Sequence, residues 1–198
     1  MSGSPIDFYY DVGSPYSYLA AHRVDELAER TGRVVRWRAL LVGGVFKLAQ
    51  NTMPAACALK AEYLLKDLDR EAARIGVDFS FHPDFPVNTL HLQRACIAAE
   101  RRDPELGAAV ARELFRAVWL DNVAQMDVSG FSAAVARAGV DAAALFADAQ
   151  EPSNKEALKA ATGEAVARGC FGAPTFFADG EMFWGHDRIE QLIATLQP

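Results

Sequence analysis

The chain reads as an α/β protein in which a β-α-β opening and a β-β-α close bracket a long helical stretch. An apolar and aromatic run at Ile6 to Tyr10 has the character of a buried strand. Helical periodicity then dominates from about Phe46 to Arg168, and near the end Asp179-Gly180 joins two short apolar runs as a hairpin turn.

The elements follow in order. Pro15 opens a helical segment that runs to about Arg30, where Thr31-Gly32 ends it. From Val34 to Leu40, Val35, Trp37 and Ala39 alternate with Arg36 and Arg38, the pattern of a half-buried strand. Leu64, Leu68 and Ala72 recur every four residues with Ile75 three further on, and Leu106, Val110, Leu114 and Val118 make a second such stripe. Turn signals stand at His82 to Pro86, Asp103-Pro104 and Glu151-Pro152. Thr175 to Ala178 and Glu181 to Trp184 form the hairpin, and Asp187 to Leu196 a closing helix. This is the order of a thioredoxin-like domain, residues 1–45 and 166–198, with an all-helical domain inserted at residues 46–165.

With 198 residues, 51% hydrophobic and 23% charged, the chain can bury a sizeable core. A net charge of −6 argues against a nucleic-acid groove. No run approaches the roughly 18 apolar residues of a membrane span, and no signal peptide is apparent at the N-terminus. Cys57, Cys96 and Cys170 form no C-x-x-C; they read as buried free thiols of a cytoplasmic protein. His22, His82, His91 and His186 lack metal-ligand spacing, and no P-loop, G-x-G-x-x-G or G-x-S-x-G is present, so no metal is expected.

The most informative segment is Asp11-Val12-Gly13-Ser14-Pro15-Tyr16-Ser17-Tyr18-Leu19. Ser14 before Pro15 is an ordinary helix start, the hydroxyl capping a free N–H. The same geometry also suits chemistry, because a helix N-terminus favours an anion and a hydroxyl can donate to a thiolate. A free thiol has a pKa of about 8.5, and lowering it by about two units, roughly 2.7 kcal/mol, makes thiolate the main form at neutral pH. Serine cannot supply that sulfur, so a ligand would have to.

This opening resembles the 2-hydroxychromene-2-carboxylate isomerases and the kappa-class glutathione transferases, relatives of the DsbA-type oxidoreductases. Where the redox branch carries C-x-x-C, this chain has Ser14-Pro15-Tyr16-Ser17, which removes disulfide exchange. The resemblance implies glutathione as cofactor, Ser14 as the catalytic residue, a homodimer, and a small aromatic carboxylate as substrate. Similarity continues through Gly43-Gly44-Val45-Phe46-Lys47 to Asn51 and Lys60, then through Asp67-Leu68 and Phe85-Pro86-Val87-Asn88-Thr89. It implies that Asn51 and Lys60 hold glutathione, Lys60 through a carboxylate, although a lysine on an amphipathic helix is usually just solvated. Lys47 is a candidate for the substrate carboxylate, and Phe46, Tyr16 and Trp119 are candidate aromatic walls, as well explained as core.

Gly172-Ala173-Pro174-Thr175-Phe176 precedes a strand, and the resemblance implies a cis Ala173-Pro174 bond. The Ala173 N–H and C=O would then face outward to pair with an extended peptide, whereas a trans proline at a strand start is the plainer reading. In Phe183-Trp184-Gly185-His186-Asp187-Arg188, His186 stands where the family has a small or polar residue. By resemblance His186 and Asp187 belong to the glutathione site, Asp187 accepting from the γ-glutamyl ammonium. Asp187-Arg188-Ile189-Glu190 also reads as a capping box needing no ligand.

The implied reaction opens a cyclic hemiketal carboxylate to trans-o-hydroxybenzylidenepyruvate by reversible addition of the glutathione thiolate, which is not consumed. A kappa-like transferase and a non-catalytic glutathione-binding module are the alternatives.

Overall fold

A computed structural model describes residues 3–125 and 127–197. Four strands, β1 (Ile6–Tyr10), β2 (Val35–Ala39), β3 (Thr175–Ala178) and β4 (Glu181–Trp184), form one sheet in the order β2-β1-β3-β4. β1 runs parallel to β2, with Phe8 opposite Trp37, and antiparallel to β3, with Phe8 opposite Phe176. β3 and β4 form the hairpin. Asp179 and Gly180 have φ of 50° and 87°, the two positive values a two-residue turn of this hand requires.

Alternation along β1 divides the core. Phe8 and Tyr10 face a large cluster; Phe8 lies 4.9 Å from the Phe176 ring and 5.0 Å from Trp37. Tyr9 turns to the opposite face, where it joins Leu40, Val45, Ala165, Cys170 and Phe177.

The expected first helix is two. α1 (Pro15–Ala21) stops at His22, and α2 (Val24–Thr31) starts anew from Arg23 and ends at Gly32, whose φ of +64° suits glycine. Arg23 is buried and pairs with Glu26 and Glu190, which ties the break to the C-terminal helix. After β2 come α3 (Val42–Leu48), a 3-10 turn (Pro54–Ala56), α4 (Ala58–Ile75), α5 (Leu90–Arg102) and α6 (Pro104–Trp119). Leu64, Leu68 and Ala72 of α4 are buried, as their spacing requires. The Asp103-Pro104 signal is a helix start: the Asp103 carboxylate accepts from the N–H groups of Glu105 and Leu106. α7 (Val128–Arg137), α8 (Ala142–Asp148) and α9 (Pro152–Ala167) lead back to the sheet.

The expected boundaries at 45/46 and 165/166 fall inside α3 and α9, which pack on one another. The closing helix, α10 (Ile189–Leu196), begins after a 3-10 turn at His186–Arg188. Asp187 does not cap it: Arg188 is the N-cap, without a side-chain bond, and Glu190 pairs with Arg23 and Arg30. Among the described residues no single helix is long and apolar enough to cross a membrane.

Candidate active site

The loop from β1 into α1 is pinned at nearly every backbone group. The Val12 N–H donates to Gln93 Oε1 at 3.3 Å, and the Val12 carbonyl accepts from Trp119 Nε1 at 2.7 Å. The Gly13 N–H donates to Asp11 Oδ1 at 2.9 Å, and the Ser14 N–H to the Asp11 carbonyl at 2.9 Å. Gln93, fully buried on α5, donates through Nε2 to the carbonyls of Tyr10 and Leu40, so it also holds the ends of β1 and β2 together.

This loop presents Ser14 to a cavity of about 810 Å3. Ser14 is 9% exposed. Its Oγ accepts from the Ser17 N–H at 3.2 Å, the expected cap, and donates to the Ala173 carbonyl at 3.0 Å. The hydroxyl therefore bridges the start of α1 and the segment before β3. Shortening α1 to seven residues changes little here, since the field of a helix end falls off within its first turn.

The Ala173-Pro174 bond is cis, as the resemblance implies. The outward pair is half as expected. The Ala173 carbonyl is occupied by Ser14, while among the described residues no protein acceptor takes its N–H, and Ala173 lines the cavity. Pro174 is buried and outside the lining; its carbonyl accepts from the Gly185 N–H at 3.0 Å.

The other candidates divide. Tyr16, Phe46, Asn51 and Lys60 line the cavity, and Lys60 is the one charged side chain among the described lining residues. Asn51 is already engaged: its Nδ2 donates to the Phe171 carbonyl at 2.9 Å and its Oδ1 accepts from the Thr52 N–H at 2.8 Å. It braces the lining rather than offering a free amide. The Tyr16 hydroxyl donates to Asp67 Oδ2 at 2.6 Å, and burial followed by that bond pushes its pKa well up, so the phenol stays neutral.

Lys47, His186 and Asp187 lie outside the lining. Lys47 is exposed near the end of α3. His186 is buried, its ring stacked on Tyr16 with centroids 5.0 Å apart and its Nε2 3.0 Å from Glu71 Oε2. It backs the Tyr16 wall instead of facing a ligand. Asp187 is half-exposed and pairs with Arg188 at 3.2 Å. Trp119 is not a wall either; it is fully buried, spending its indole N–H on Val12.

The cysteines correct one expectation. Cys96 and Cys170 are buried, and burial pushes the Cys96 thiol up to about 12 and raises Cys170 as well. Cys57 is exposed and lines the cavity, because it is the N-cap of α4, just after the Pro54–Ala56 turn, rather than a member of the helix's apolar stripe.

Sequence reasoning missed several contributors. Trp184 and Phe171, with ring centroids 4.8 Å apart, flank Ala173 in the lining, and Tyr63 faces in from α4. Asp11, although inside the recognised motif, was assigned no role. It is fully buried and accepts from the Gly13 N–H, the Val42 N–H at 2.8 Å and Thr89 Oγ1 at 2.7 Å. Burial raises its pKa, and these three donors oppose the rise.

The sequence matches the DSBA-like thioredoxin domain family over residues 5–197. It is 31% identical over 189 residues to a 2-hydroxychromene-2-carboxylate isomerase of Sphingobium xenophagum, covering 94% of this chain and 95% of that one. It is 29% identical over 203 residues to glutathione S-transferase kappa 1 of Rattus norvegicus, covering 94% and 88%. A solved structure of 2-hydroxychromene-2-carboxylate isomerase superposes with a TM-score of 0.85 at 28% identity, over 96% of this chain and 93% of that one. With a matching fold and nearly full-length coverage at 31% identity, the chain belongs to the 2-hydroxychromene-2-carboxylate isomerase family of DsbA-like thioredoxin-fold proteins.

Proposed function

We propose that the protein is a glutathione-dependent isomerase that converts 2-hydroxychromene-2-carboxylate, or a close aromatic analogue, to trans-o-hydroxybenzylidenepyruvate. The observation that carries this reading is the Ser14 hydroxyl in the lining of a largely apolar cavity, bonded to the carbonyl of Ala173, whose N–H has no protein acceptor among the described residues. The relatives named as isomerases and as glutathione transferases support it.

The residues present fit glutathione. The tripeptide needs a donor at its thiol, a main-chain partner and a cation for a carboxylate; Ser14, the Ala173 N–H and Lys60 offer one of each. The cavity falls within the range of about 300–1,000 Å3 usual for small-molecule sites, leaving room for an aromatic acid beside the tripeptide. When bound, glutathione supplies a thiol that adds reversibly to the conjugated system and so frees the blocked bond rotation.

Ser14 holds the negative charge at that sulfur. Its hydroxyl now donates to a neutral carbonyl, and hydrogen bonds to charged acceptors are roughly twice as strong as neutral ones. Turning the O–H from Ala173 toward an anion is therefore downhill. Phe46, Tyr16, Phe85 and Trp184 give the cavity an apolar lining, against which a bound ligand would displace water and strengthen that bond. Lys60 supplies the lining's positive charge for an anionic ligand.

The test mixes purified protein with the chromene carboxylate and follows its ultraviolet spectrum alongside total glutathione. Conversion that requires glutathione and leaves its concentration unchanged is expected. Conversion without glutathione, or none with it, refutes the proposal; stoichiometric loss of glutathione would instead assign the transferase activity for which the kappa relatives are named.

A further inference from the structure

We infer that Asp11 is the positioning residue of the Ser14 site, acting through Gly13 and Thr89; the inference deepens the glutathione-dependent reading and rests on it. Asp11 is fully buried, and among the described residues its carboxylate has hydrogen-bond donors but no ion-pair partner. A carboxylate so placed is disfavoured unless several donors converge on it. Three do, and each belongs to a different segment of the cavity wall. Oδ1 accepts from the Gly13 N–H at 2.9 Å and from Thr89 Oγ1 at 2.7 Å; Oδ2 accepts from the Val42 N–H at 2.8 Å. Gly13 belongs to the Ser14 loop, Val42 opens α3, and Thr89 is the N-cap of α5. All three line the cavity.

The chemistry of the side chain explains why it is an aspartate. An ionised carboxylate is an acceptor at both oxygens, with about four lone-pair sites. Asparagine would turn an N–H2 against one of these donors, and an apolar residue would leave all three without a partner. The loop also meets Thr89 without slack: a Cβ on Gly13 would lie 2.8 Å from Thr89 Cγ2. Asp11 further accepts the Ser14 N–H through its own carbonyl at 2.9 Å. The Ser14 hydroxyl is thus fixed from behind by one buried carboxylate that, among the described residues, accepts from a single hydroxyl, that of Thr89.

The Thr89→Val and Thr89→Ser pair tests this, with Asp11→Asn beside them. In glutathione-bound protein, Thr89→Val is expected to raise the pKa of the bound thiol and to lower kcat about two- to tenfold, the loss of one buried hydrogen bond, with glutathione affinity within about twofold. Thr89→Ser is expected to restore both. Hydrogen exchange without ligand gives an independent reading: the Gly13 and Val42 amides should lose protection in Asp11→Asn, and Gly13 in Thr89→Val. Wild-type titration and turnover in Thr89→Val, or equal damage in Thr89→Ser, overturns the inference. Should Asp11→Asn fail to fold, the threonine pair decides. If wild type binds no glutathione, the functional reading falls, and the amide protections alone decide whether Asp11 holds the loop.

Discussion

Replacing Ser14 with alanine separates the two jobs its hydroxyl performs. The first is structural. Oγ caps the Ser17 N–H and donates to the Ala173 carbonyl. Loss of the cap costs about 1 kcal/mol, and the bond to Ala173 is worth about 0.5–1.5 kcal/mol, the lower end applying because cavity water can replace it. For a chain of this length 1 kcal/mol moves Tm by about 2–4 °C, so a fall of roughly 3–8 °C is expected with the fold retained. The second, under the proposed function, is chemical. A hydrogen bond to a charged group is worth about 1.5–3 kcal/mol, which is about one to two units in the pKa of the bound thiol. If wild type holds that thiol about two units below its free value of about 8.5, the variant returns it most of the way, and the ionised fraction at pH 7 falls from about three-quarters to a few per cent. Lost stabilisation of the transition state adds to this, giving a drop in turnover of one to three orders of magnitude. The assay titrates thiolate absorbance of the glutathione complex against pH for both proteins, with binding followed by Trp184 fluorescence. Trp184 is 47% exposed and lines the cavity, whereas Trp37 and Trp119 are buried. A titration curve that does not move between the two proteins would remove Ser14 from the chemistry, whatever happened to Tm.

Lys60→Met should weaken glutathione binding by about two- to fivefold, the value of one exposed ion pair, with the deficit shrinking at high salt; Lys47→Met, outside the lining, should bind as wild type by calorimetry. Trp119→Phe leaves the Val12 carbonyl without its buried donor and should cost about 1–3 kcal/mol in denaturant unfolding while retaining some activity. Glu71 is held below its usual pKa, chiefly by Arg74 and then by the bond from His186. A depressed carboxyl contributes stability above its unfolded value and loses it in acid. The deficit of Glu71→Gln should therefore be complete above about pH 5 and vanish as pH falls through the lowered pKa, read by thermal melts across pH.

Much of the scaffold was legible because its signals are local. Strand alternation at Val35 to Ala39, the hairpin around Asp179-Gly180 and the four-residue stripe on α4 each follow from spacing alone, and the structure repeats them nearly residue for residue. The break at His22 and Arg23 was not legible, because its cause is long-range: buried Arg23 pairs with Glu190 from the far end of the chain. The same limit governs the site. Ser14 announces itself by its motif and Lys60 by its resemblance, but whether Lys47, His186 and Asp187 reach the cavity depends on how helices pack. His186 is turned away by Tyr16 and Glu71, partners on two different helices. Asp11, Gln93 and Thr89 went unassigned because none reacts; they matter through whom they hold, which only the fold reveals.

The placement of sulfur sharpens the contrast with redox proteins of this fold. A thiol–disulfide enzyme needs a reactive thiolate at the helix start and a second thiol within reach. Here the helix start carries Ser14, three residues on Ser17 is buried with no partner for its hydroxyl among the described residues, and neither has sulfur. Cys96 and Cys170 are buried thiols held neutral by that burial, and Cys57 stands in the opening turn of α4. What the scaffold keeps is the capped helix start beside the Ala173-Pro174 segment, an arrangement suited to stabilising a thiolate that the chain itself does not place there. Under the proposed function, a thiol brought by glutathione would meet no resident thiol at the helix start. In the proposed reaction the single hydroxyl would serve a cofactor sulfur that is regenerated at each turnover, which a cysteine in its place would trap as a mixed disulfide under oxidising conditions.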